Sequence, residues 1–149
     1  MNELEEAAIG WAVTQLIYEA AVLTDGAEWE RLSELFAVDA VLVRPTAVGA
    51  PIAGRSAILA SFRARPPRTS VHLVHNIFTT IISANEVTAV SRVTMFTGPA
   101  TPSSSPALAD PAIMVARFED RVRRDSTGWR FARRFGTMLI QHDVAAHRM

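Results

Sequence analysis

The second half of the chain constrains the fold more than any other part. Residues 69–83, 87–97, 112–124 and 129–141 are rich in β-branched and aromatic side chains and read as four long strands. Ala84-Asn85-Glu86 and Asp125-Ser126-Thr127-Gly128 are turn material and predict hairpin links. Residues 98–111, rich in Pro, Ser and Ala, predict a mobile loop instead. Strands joined this tightly pair antiparallel, and a sheet of them must bury one face.

The first half supplies the cover. Residues 4–24 predict an amphipathic helix, with Glu3, Glu5 and Glu6 at the end where the helix dipole favours negative charge. Along it Trp11, Tyr18 and Asp25 are seven residues apart and fall close to one line. A second helix is predicted over 27–36, with Trp29, Leu32, Leu35 and Phe36 as its apolar stripe, then a short strand over 41–44 ended by Pro45. A loop over 46–53 leads to a third helix over 54–65, which buries Ile58, Leu59 and Phe62 and stops at Pro66-Pro67. Helices first and strands after predict a single α+β domain over 1–149, with the helices on one face of a curved sheet. Where the helices leave the concave side unfilled, a pocket remains.

The totals narrow the function. At 49% hydrophobic and 20% charged the chain can build a core. Fifteen basic residues balance fifteen acidic ones, so no nucleic-acid partner is expected. With no cysteine there is no disulfide or thiolate chemistry. The acidic N-terminus is no secretory signal, and no apolar run of bilayer-spanning length is expected. The expectation is a soluble cytoplasmic protein with no membrane partner.

The chemistry concentrates in Arg68-Thr69-Ser70-Val71-His72-Leu73-Val74-His75-Asn76-Ile77-Phe78, which holds two of the four histidines. Strand alternation puts His72, Val74, Asn76 and Phe78 on one face and Val71, Leu73, His75 and Ile77 on the other. His72 is a candidate acid–base group, because imidazole both takes and gives a proton near neutral pH. It reads equally as a half-buried histidine bonded to a backbone carbonyl. Asp25 is either a functional carboxylate aimed along the same helix face as Tyr18 or the first member of a capping box with Glu28. Tyr18, the only tyrosine, is an oxyanion donor or a core aromatic with a wet tip. Asn76 orients a substrate carbonyl or satisfies a neighbouring strand. Trp29, Phe62 and Val74 belong to the core, the pocket wall or both. Arg133 and Arg134 alternate, so only one faces inward. His142, Asp143 and His147 are too irregularly spaced to predict a metal site. Val71, Leu73 and Ile77 together make an apolar outer patch that predicts a homo-oligomer, dimer or trimer.

Three segments resemble one family. They are Tyr18 with Asp25-Gly26-Ala27-Glu28-Trp29, Leu35-Phe36 and Asp39-Ala40; Pro67 to Asn76 around His72; and Gly128-Trp129-Arg130-Phe131 with Arg133-Arg134. Together they resemble a SnoaL-like domain of the nuclear transport factor 2-like superfamily, over most of the chain. That superfamily includes polyketide cyclases, scytalone-type dehydratases, dehydrochlorinases, epoxide hydrolases, ketosteroid isomerases and non-catalytic domains. The resemblance implies a cone-shaped α+β fold, with a curved mixed or antiparallel sheet and three helices enclosing a deep apolar pocket. It implies a carboxylate at the end of the first helix paired with a histidine on the sheet, which here are Asp25 and His72, with Asn76 four residues on. It also implies a cofactor-independent lyase or isomerase of dehydratase or cyclase type. His72 is then the general base, and the substrate is a hydrophobic, cyclic or polyketide-like molecule lying against Tyr18, Trp29, Phe62, Val74 and Asn76. The paired carboxylates and arginine that activate water in the epoxide-hydrolase branch have no match. The competing reading is a protein that only binds an apolar ligand. Contact between Asp25 and His72 beside an open cavity separates the two.

Overall fold

The computed structural model describes residues 1–102 and 104–141. Helices α1 (Glu3–Asp25) and α2 (Trp29–Glu34) lead into strand β1 (Phe36–Val43). Then come the short β2 (Ile52–Ala53), α3 (Arg55–Arg63) and four long strands, β3 (Arg68–Ser83), β4 (Glu86–Pro99), β5 (Met114–Asp125) and β6 (Gly128–Gln141). They form one six-stranded sheet in the order β2-β1-β6-β5-β4-β3. The hairpins β3–β4, β4–β5 and β5–β6 are antiparallel, whereas β1 lies parallel to β6. That is the α+β architecture expected, with a mixed sheet. Phe36, expected in the second helix, starts β1, and residues 52–53, expected in a loop, form β2.

The capping box of this protein is at the start of α1 and not at Asp25. The Asn2 side chain accepts the Glu5 amide at 2.9 Å, and the Glu5 carboxylate accepts the Asn2 amide at 2.8 Å. Glu28 is the N-cap residue of α2 and makes no side-chain cap bond. The Ala27 and Glu28 amides donate to the carbonyls of Thr24 and Leu23. Asp25 is therefore released from capping.

Helix α1 buries Ile9, Val13, Leu16, Ile17, Ala20 and Leu23, the i, i+4, i+7 stripe of a core-facing helix. Each large aliphatic group here contributes about 1.5–3 kcal/mol by leaving water. By length and composition this helix is apolar enough to cross a bilayer, contrary to expectation. Its buried stripe lies instead in the same core as Phe36, Val87, Val122 and Phe131. The other side leaves Leu4, Trp11, Tyr18 and Val22 exposed. Apolar residues on both sides blur the periodicity in the sequence.

The 98–111 segment is tied to the end of β4. The Thr97 hydroxyl donates to the Asp110 carboxylate at 2.7 Å, and the Asp110 amide donates to the Thr97 carbonyl at 2.7 Å.

The loop after β1 is seated just as tightly. Gly136 on β6 has no room for a side chain, because a β-carbon there would stand 2.5 Å from the Pro45 ring. Gly136→Ala must push this loop off the sheet. The expected result is a destabilisation of about 1–3 kcal/mol, seen as a lower Tm in thermal unfolding.

Candidate active site

The concave face of the sheet is built in cross-strand rows. His72, Met95 and Met114 stand side by side on β3, β4 and β5. Val74, Val93, Ala116 and Met138 form the next row, across β3 to β6. Further down, Phe118 stands beside Gly136, and Asp120 stands opposite Arg134. The first two rows, with Phe118 and Arg134, floor a cavity of about 360 Å³. Ala20, Ala21 and Thr24 at the end of α1 roof it, as do Leu32, Phe36 and Phe62. The aromatic groups hold one another in place: Phe36 lies 5.2 Å from Phe131 and 6.1 Å from Phe62, centroid to centroid. The helices cross the sheet without filling it.

Asp25 and His72 meet at the edge of this hollow. Asp25 is the last residue of α1, and its carboxylate reaches over to β3. His72 Nδ1 lies 2.5 Å from Asp25 Oδ1. The His72 amide donates to Asp25 Oδ2 at 2.9 Å, and the Ser70 hydroxyl donates to Oδ1 at 3.1 Å. Three contacts fix the carboxylate, and through it the imidazole. With Nδ1 carrying the proton toward the carboxylate, Nε2 keeps its lone pair. His72 lines the cavity, and Nε2 is the ring nitrogen that Asp25 does not use. Both side chains are largely but not wholly buried.

The other candidates divide. Phe62 and Val74 line the cavity. Trp29, Tyr18 and Asn76 lie outside its wall. Trp29 packs on the far side of Phe62, at 6.0 Å. Tyr18 is 41% exposed, on the outer side of α1 with Trp11. The heptad line through Trp11, Tyr18 and Asp25 fails as a guide because such a line drifts by about 20° per heptad, and the last residue has no following turn beside it. Asn76 sits at a β-bulge between the pairs His75–Arg92 and Phe78–Val90, with φ at +53°. Asn tolerates this left-handed conformation better than most residues. The extra residue reverses the alternation that follows. Asn76 therefore faces solvent, Ile77 packs against the core, and Phe78 is 72% exposed. His75 stays on the outer face, where Nε2 meets the Thr94 hydroxyl at 3.0 Å. His142, Asp143 and His147 lie outside the described residues, among which no cluster of three metal-ligating side chains occurs.

The sequence reading left open which of Arg133 and Arg134 points inward. It is Arg134, which is buried and lines the cavity. Its guanidinium is stacked between Phe118 at 4.1 Å and Phe131 at 4.6 Å. Behind it lies Asp120, with Arg134 Nε 3.7 Å from Oδ1. That gap is too long for a hydrogen bond. Neither Asp120 oxygen, nor Arg134 Nη1, has a hydrogen-bond partner among the described residues. Burial dominates here: it raises the Asp120 carboxyl to about 6, and the nearby guanidinium only partly offsets this. Burial also lowers the Arg134 guanidinium. A buried cation short of hydrogen-bond acceptors is aimed at a cavity. The inward Asp at 120 was legible as a departure from the apolar alternation of β5, at Ala116, Phe118 and Val122.

The chain matches the family model of the SnoaL-like domain over residues 5–135. Solved structures share the fold. One is a scytalone dehydratase candidate from Novosphingobium aromaticivorans, 19% identical, covering 93% of this chain and 89% of that one, with a TM-score of 0.79. Another is the hexachlorocyclohexane dehydrochlorinase LinA-type3 from Novosphingobium barchaimii, 16% identical, covering 97% and 95%, with a TM-score of 0.77. A third is Aln2 from a Streptomyces species, 18% identical, covering 88% and 91%, with a TM-score of 0.70. No curated protein matches by sequence.

The Asp120 carboxyl generates a pH prediction. Its folded-state value, about 6, lies above its ordinary value of 3.8. Its stabilising contribution is therefore full below the ordinary value and lost as pH rises through about 6. Asp120→Asn keeps the shape and removes the charge. Its Tm should exceed that of the parent above pH 6, and the gap should close as pH falls toward about 4.

Proposed function

The chain belongs to the SnoaL-like domain family, and on that footing we propose that it is a cofactor-independent lyase or isomerase in which His72 is the general base. The observation that carries the proposal is the 2.5 Å contact from Asp25 to His72 Nδ1, beside an apolar cavity that His72 itself lines. His72 Nε2 takes an acidic C–H proton from a hydrophobic cyclic substrate. The imidazolium that forms is stabilised by Asp25, which also fixes the ring tautomer. The electron pair left on carbon expels a leaving group, moves to a new position or closes a ring onto a carbonyl, and the His72 imidazolium returns its proton to the leaving group, the new carbon or the carbonyl oxygen. The buried Arg134 guanidinium faces the negative charge that develops on the leaving group or a conjugated carbonyl oxygen. In a cavity walled by Met, Val and Phe such a charge is worth far more than in water.

The test is proton exchange together with turnover. Cyclic ketones and cyclic halides or alcohols with an acidic neighbouring C–H are incubated in heavy water, and deuterium incorporation and elimination are followed by NMR. The protein should turn over one of these classes. His72→Ala should lower the rate by about 10²–10⁴-fold with the fold intact by circular dichroism. Asp25→Asn should lower it by a similar factor without weakening substrate binding. Full activity in His72→Ala would end the proposal. Saturable binding of the substrates with no exchange would leave the apolar-ligand binder.

We propose also that the protein is a homo-oligomer built through the outer face of the sheet. Leu73, Thr94, Val115 and Ile140 stand in one row across that face, and Leu73 and Ile140 are exposed. Exposed Val71 and Phe96 pair beside this row. The bulge at Asn76 takes Ile77 out of this patch. An apolar row of this kind is costly to leave in water. Leu73→Asp should shift the mass measured by light scattering toward the monomer, and an unchanged mass would refute this interface.

A further inference from the structure

The mouth of the cavity is unlike its floor. Among the lining residues Arg68 and Pro66 are exposed, Arg44 and Arg65 are half-buried, and Phe36 and Phe62 are buried, so the arginines mark the opening. Among the described residues no carboxylate lines the cavity with them. Their side chains have no hydrogen-bond or ion-pair partner among the described residues. Acidic partners are used nearby: Arg31 pairs with Glu28 at 2.6 Å, and Arg63 pairs with Glu30. Asp25, at the same end of the molecule, is committed to Ser70 and His72. Three cations around an opening with no counter-charge repel one another, and such a cluster is offset when an anion joins it.

One of the three is set in place. The Arg65 guanidinium lies 5.0 Å from the Phe62 ring centroid and 5.5 Å from that of Trp29. The two rings steady the group, and its N–H donors have no partner among the described residues. Burial first, then the charges of Arg44 and Arg68, lower the Arg65 guanidinium to about 10, which still leaves it charged at neutral pH. A planar fork fits a carboxylate through two parallel hydrogen bonds. Arg44 and Arg68 add field without a fixed geometry.

From the Arg65 guanidinium held over the Phe62 and Trp29 rings at the mouth, Arg44 and Arg68 beside it with no partner among the described residues, and the apolar rows below, we infer that the substrate is an amphiphilic acid. Its carboxylate is held by Arg65 at the opening, and its apolar ring system lies in the hollow toward His72. This rests on reading the cavity as the substrate site. It assigns Trp29 an indirect part, as the ring that positions Arg65. Arg68 and His72 stand four residues apart on β3, roughly 13 Å along the strand. The molecule is therefore anchored at one end and deprotonated at the other.

The experiment uses the full chain and three probes, naphthoate, naphthamide and naphthyl phosphate, titrated by calorimetry. Naphthoate should bind about tenfold or more tightly than naphthamide, and added salt should weaken naphthoate while leaving the neutral naphthamide unchanged. Arg65→Met keeps the apolar stem against Phe62 and should erase the preference. Should that variant unfold, Arg68→Gln must reduce the preference in a folded protein. Equal binding of naphthoate and naphthamide, or binding of none of the three at millimolar concentration, overturns the inference. Tighter binding of naphthyl phosphate than naphthoate also overturns it, by assigning the mouth to a phosphate. His72→Asn separates the two readings. It should keep the naphthoate preference whether or not His72 proves to be the base.

Discussion

The organisation of this molecule turns on one carboxylate that crosses from a helix to the sheet. Asp25 ends α1, yet its oxygens are spent on Ser70 and His72 of β3. Two of those contacts, to the His72 amide and the Ser70 hydroxyl, would anchor the helix end whatever else the site did. The third fixes the imidazole. One group therefore ties the roof of the cavity to its floor at the point where the chemistry is proposed, so that site geometry and helix docking cannot drift apart. The carboxylate is free for this because the turn after α1 closes through backbone carbonyls alone.

Around this contact the structure keeps two charges in places where the surrounding core gives them poor company. Arg134 and Asp120 face each other across β5 and β6 without a direct hydrogen bond. Arg44, Arg65 and Arg68 share the opening with no acid among the described residues between them. A core built only for stability would replace the first pair with apolar residues of like volume. It would also pair the second set, as α2 and α3 pair Arg31 and Arg63. Both departures face the same cavity. A hollow with an imidazole on one wall, a buried cation on its floor and a cationic rim is the setting in which the proposed acid substrate would sit.

Much of the architecture was legible from residue order. The four long strands fall within two residues of their expected bounds, because alternation and the turns at 84–85 and 126–127 are strong local signals. The residues at the ends of α2 and β1 were harder to assign: Phe36 fits a helical stripe as well as a strand start. Asp25 and His72 were legible as a pair only through the family resemblance, since a capping box explained Asp25 equally well. Tyr18, Asn76 and Trp29 were placed by periodicity, and periodicity cannot register a bulge, a helix with two apolar sides or an aromatic ring that backs another.

What the sequence by itself determined is the set of periods: helical in the first half, two-residue alternation in the second, and hence helices on a curved sheet. It also determined which groups can carry protons and charge. Tertiary structure decided which of these face one another. The bulge at Asn76 reversed the faces of Ile77 and Phe78, the crossing of α1 brought Asp25 to His72, and the β5–β6 register put Arg134 beside Asp120. The physical reason is that local periodicity is set by bonds between near neighbours. A cavity is set by where elements distant in the chain stop short of filling the space between them.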